Sequence, residues 1–62
     1  MVDMSILVGS VRRFGLVGPP YEVLGPSLPS EAGEPQMRIL LIESGEEVDY
    51  PVSEVVNDPV DA

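Results

Sequence analysis

The side chains in this 62-residue sequence that could do chemistry are carboxylates, above all those of the run ESGEEVDYPVSE from Glu43 to Glu54. The run holds five of the eleven acids and no lysine, arginine or histidine. Paired carboxylates can move protons, and several together can hold a hard cation. Glu47 and Asp49 are two residues apart, so in a strand they share a face. Yet a catalytic carboxylate needs a cleft that shifts its pKa, and a chain of this length seldom encloses one. The sequence has no histidine to act as a base. None of Ser5, Ser10, Ser27, Ser30 and Ser44 lies in a G-x-S-x-G nucleophile turn. Glu43 to Glu47 lacks the spaced D-x-D-x-D-G order of a calcium loop. Without cysteine or histidine there is no zinc set. Neither Gly15-x-x-Gly18 nor the Gly25 region carries the lysine of a phosphate loop. The expectation is no catalytic residue, no metal and no cofactor, and so no enzyme.

The remaining chemistry is recognition. Arg12 and Arg13 form the one basic spot, next to Phe14 and followed by Tyr21. Arginine and aromatic side chains are common interface anchors, so Arg12, Arg13, Phe14 and Tyr21 are the candidate binding residues. The bland alternative pairs the arginines with the chain's own acids, such as Glu47 and Asp49 on a neighbouring strand. The formal net charge is −8. Such a surface repels phosphate backbones and anionic membranes and would speed encounter with a basic partner protein. The longest wholly apolar run, Ile39 to Ile42, is far too short to cross a bilayer. The start, MVDMSILVGSV, has Asp3 where a secretory signal would be positive. The absence of cysteine fits a reducing compartment, so a cytoplasmic location is expected.

These residues need elements to position them. A single small domain over 1–62 is predicted. Its first strand spans 5–14, with Gly9 as a bend. GLVGPP is a connection, and YEVL at 21–24 is a second strand with Tyr21 and Val23 on one face. Gly25 to Gln36 has three prolines and two glycines and reads as a mobile loop. MRILLIE at 37–43 is apolar on both faces, as a central strand should be. EEVDY at 46–50 alternates, with Val48 and Tyr50 inward. A two-residue turn at Ser44-Gly45 would set Leu41 against Val48 and Ile39 against Tyr50, pairs that stabilise by about 0.2–1 kcal/mol each. A one-residue slip would reverse the faces. Pro51 ends that strand. Val52, Val55 and Val56 make one stripe on a short helix that must lie on the sheet to persist. Residues 59–62 read as a frayed tail.

Three stretches, VRRFG at 11–15, GPPYEVLG at 18–25 and ESGEEVDYPVSEVVNDP at 43–59, occur in this order. Together they resemble a family of very small bacterial proteins classified as a domain of unknown function. The resemblance implies a compact domain and carries no activity, ligand or site residue with it.

The predicted fold is mainly β: a small antiparallel meander of three to four strands, with small-barrel character and a short C-terminal helix. The leading functional expectation is an acidic, non-catalytic accessory module. It would meet a basic protein, or a second copy of itself as a homodimer, at the edge of the first strand or of Tyr21–Leu24. The alternative is a nucleic-acid-associated small barrel that stacks bases on an Arg/aromatic face.

Overall fold

The computed structural model describes residues 6–61. Its four strands are β1 (Val11–Arg13), β2 (Pro20–Pro26), β3 (Gln36–Leu41) and β4 (Glu46–Pro51), followed by helix α1 (Val52–Asn57). The strands form one antiparallel sheet in the order β1-β2-β3-β4, a meander. The sheet stays open, with β1 and β4 as its outer strands, so the barrel character expected from the sequence does not extend to closure.

Alternation decides which side is buried. Tyr21 and Val23 on β2 and Met37 and Ile39 on β3 are fully buried on one face. Val48 and Tyr50 on β4 pack beside them. Glu47 and Asp49 point the other way and are exposed. Leu24 is an extra residue in β2: Val23 pairs with Ile39, but Gly25 pairs with Arg38. Such a bulge bends a strand and increases its twist, which curls the sheet around its apolar face. α1 lies on that concave face and adds Val52 and Val55 to the core, and Leu7 completes it. Val56, predicted for the same stripe, is exposed. Each fully buried aliphatic side chain stabilises by about 1.5–3 kcal/mol, which a domain with so small a core needs.

Several sequence expectations require correction. The first strand does not span 5–14. Residues 7–9 turn, Gly9 takes φ 87°, and regular pairing starts at Val11. Ser5 lies outside the described residues. The β3–β4 turn is longer than Ser44-Gly45. Leu41 pairs with Glu46, Ile39 with Val48 and Met37 with Tyr50. The loop is therefore Ile42 to Gly45, closed by Leu41 O, which accepts from Ser44 N (3.2 Å) and Gly45 N (2.7 Å). Gly45 is the last residue of the loop and takes the left-handed φ of 77°, which glycine adopts without steric cost. The pairing differs from expectation by two positions, so every side chain keeps its predicted face.

The long β2–β3 connection is shorter than 25–36, because Gly25 and Pro26 pair with Arg38 and Met37. Ser27 N donates to Gln36 O (3.0 Å), and Ser30 Oγ accepts from Glu34 N (3.1 Å). The tail, expected to fray, instead runs antiparallel beside β1. Arg13 N donates to Pro59 O (3.1 Å), Asp61 N donates to Val11 O (2.8 Å), and Arg12 bridges Val60. The two edges proposed for strand addition are thus both occupied, since β2 is interior and β1 carries residues 59–61. Ala62 lies outside the described residues.

Candidate functional site: a groove at the hairpin end of the sheet

α1 is six residues long and covers only part of the concave face. Beyond it, toward the β3–β4 turn, the same face continues as an open groove of about 320 Å³. Leu41, Val48 and Tyr50 come from the two strands of the hairpin. Phe14 closes one side from the end of β1, and Pro19 and Pro20 form a wall at the start of β2. Almost all of this lining is apolar. The polar exceptions are Glu43 and Ser44, both in the turn. Glu46 is the cross-strand partner of Leu41, so it stands on the same face at the same end.

The wall is held by a tight loop. Gly18 N donates to Phe14 O (3.0 Å), and a Cβ at residue 18 would sit 2.1 Å from that oxygen. No side chain fits there. Behind the wall the aromatic rings make a cluster. Phe14 lies 4.5 Å from Tyr21 and 5.1 Å from Tyr50, the latter edge-on, with centroids measured. Tyr21 and Tyr50 are 5.6 Å apart. Such contacts add about 0.5–1.5 kcal/mol each beyond burial.

One carboxylate ties the cluster together. Asp58 Oδ2 accepts from the Tyr21 hydroxyl (2.8 Å) and the Tyr50 hydroxyl (3.1 Å), while Asp58 Oδ1 accepts from Gly15 N (3.1 Å). Burial, then the hydrogen bond to Asp58, pushes the Tyr50 phenol from its usual value up to about 12. The same causes in the same order raise Tyr21 further.

The four candidate binding residues do not share one surface. Phe14 lines the groove. Tyr21 is fully buried beneath it and offers no ring face to a ligand. Arg12 leaves the groove altogether. Its Nη1 donates to the carbonyls of Val55 (3.0 Å) and Asp58 (3.1 Å), and its Nε donates to Ser10 Oγ (3.3 Å). It thereby satisfies the carbonyls at the end of α1, where a cation is favoured. Arg13 pairs with Asp61 (3.2 Å) and donates to Gly18 O (3.2 Å). Asp49 is indeed taken by an arginine, but by Arg38 (3.2 Å) and not by Arg12 or Arg13; Ser27 Oγ donates to it as well (2.6 Å).

The sequence pattern gives Asp58 no role of its own. The usable signal is an acid directly after a short helix in a chain whose two tyrosines both fall on inward positions, since a buried hydroxyl requires an acceptor. Among the described residues no group of three histidine, cysteine or carboxylate side chains is arranged to hold a metal ion. No helix among them is long and apolar enough to cross a membrane.

Fold and groove define a class: a small open β-meander whose concave face is half covered by a terminal helix and half left as a carboxylate-edged apolar groove. Within that class, the chain belongs to the family of unknown function DUF5397, which it matches over residues 2–62. No curated protein matches it.

Proposed function

We propose that this domain is a non-catalytic, acidic binding module for a basic partner protein. The observation that carries the proposal is the distribution of charge. All three arginines are engaged within the fold: Arg12 with backbone carbonyls, Arg13 with Asp61 and Arg38 with Asp49. None of the glutamates is in an ion pair among the described residues, and most of them are exposed. The surface offered to a partner is therefore more uniformly acidic than the composition alone implies. Such a field steers cationic partners and rejects anionic ones.

A nucleic-acid role gains no support from this arrangement. Tyr21 is buried, and Arg12 is committed to the helix end. A second copy of the chain brings the same net charge of −8 and is the poorer partner for that reason. Because the chain has no cysteine, its stability does not depend on an oxidising environment, and we assign it to the cytoplasm within the same proposal.

The test is affinity capture from the native cell at low and at high salt, with the retained proteins identified. A partner of basic pI, held at low salt and released at high salt, is the expected result. Retention of nucleic acid alone, or of acidic proteins with no salt dependence, would overturn the reading.

A further inference from the structure

The geometry points to the groove as a receptor for one long cationic side chain, an arginine carried on an extended segment of the partner; this rests on the binding-module reading above. Three features lead to it. The body of the groove is apolar and aromatic, with Leu41, Val48, Phe14 and Tyr50. Its polar lining is confined to the turn, where Glu43 and Ser44 sit and Glu46 shares the face. A side chain that matches has an apolar stem and a charged end, which describes arginine and lysine. An aliphatic anchor such as leucine would fill the body but strip water from the carboxylate end without replacing it, which is costly. Arginine is favoured over lysine because its planar head also packs on aromatic rings and binds carboxylates through paired donors.

The size agrees. A volume of about 320 Å³ is at the lower end of the roughly 300–1,000 Å³ typical of small-ligand sites, and suits one side chain better than a helix. A second copy of this chain cannot readily supply the residue. It has no lysine, and its three arginines are already held.

The experiment is a chemical-shift titration of the isotope-labelled full chain at low salt. The probes are three capped pentapeptides, Ala-Gly-X-Gly-Ala, with X as arginine, citrulline or norleucine. Citrulline keeps the shape of arginine without its charge; norleucine keeps only the stem. The arginine peptide is expected to shift the amides of Leu41, Ser44, Val48 and Tyr50 saturably. Citrulline and norleucine should bind at least tenfold more weakly, and Glu43→Gln should weaken the arginine peptide severalfold with the spectrum otherwise unchanged. Equal binding of norleucine would overturn the inference and leave a plain apolar pocket. Shifts confined to Glu22 and Glu47 on the opposite face would overturn it too, while leaving the acidic-module reading intact. No shift at any position with the arginine peptide would overturn the inference, while the acidic-module reading stands or falls on the salt-dependent capture.

Discussion

The two halves of the concave face have similar side chains and different fates. Under α1, Val23, Met37 and Ile39 are fully buried. Leu41, two residues further along β3, and Val48, beside Ile39 on β4, are only partly covered and line a groove. Hydrophobic character does not distinguish the halves; the length of the helix does. Pro51 and Pro59 bracket α1, and Val52 to Asn57 is all the helix that fits between. The contrast teaches that an apolar strand position in a very small domain can be core or site depending on where a neighbouring element stops.

The largest expected effect lies in the covered half. Ile39→Ala should cost about 2–5 kcal/mol. Domains of this length have roughly 3–9 kcal/mol in total, so much of the population should be unfolded by circular dichroism at ambient temperature. Val48→Ala, its cross-strand partner, should cost visibly less because the groove is already open. Equal losses in urea titrations would erase the distinction between the halves.

Next in size are the supports of the groove. Asp58→Ala leaves the buried Tyr21 hydroxyl without its acceptor and should cost about 1–3 kcal/mol. Gly18→Ala drives a methyl into Phe14 O and should cost a comparable amount, about 1–3 kcal/mol. Amide shifts should centre on Phe14 to Tyr21 and spare Met37. A wild-type midpoint for either variant would mean that the wall does not depend on these contacts.

Alkali should give a smaller effect that reports on the same cluster. In the unfolded chain a phenol loses its proton near pH 10, whereas folded Tyr50 holds it to about 12 and Tyr21 holds it beyond that. The folded state therefore binds more protons in this range, and stability falls as pH rises above about 10. It is fully present below that value. Tyrosinate absorbance followed beside the denaturation midpoint checks this; titration of both phenols near 10 in folded protein would contradict it. The smallest change belongs to Glu43→Gln, which should leave stability within about 0.5 kcal/mol.

Much of the fold was legible because alternation is a local signal. The alternation at Tyr21/Val23 and Val48/Tyr50 gives the face that the structure buries, and Pro51 marks the end of its strand. The turn shows where such legibility stops. Loops of two and of four residues put the same side chains inward and both end on Gly45, so neither alternation nor the glycine chooses between them; the pairing of Leu41 with Glu46 does. The site was less readable. Phe14 and Tyr21 read alike in the sequence, but Phe14 lines the groove whereas Tyr21, two strands' width from Tyr50, is tied beneath the surface to Asp58, which lies 37 positions further along the chain. Arg12 reaches 43 positions to Val55. Contacts of that span leave no periodic trace, and both residues therefore looked like surface chemistry when they are joints.

The pairing of residues 59–61 with β1 bears on how the chain can be handled. β1 has only three residues, and this short stretch sheathes its outer rim. A protease that clipped after Asp58 would bare backbone donors and acceptors that other molecules could template upon, so trimmed material should clump more readily than the intact chain.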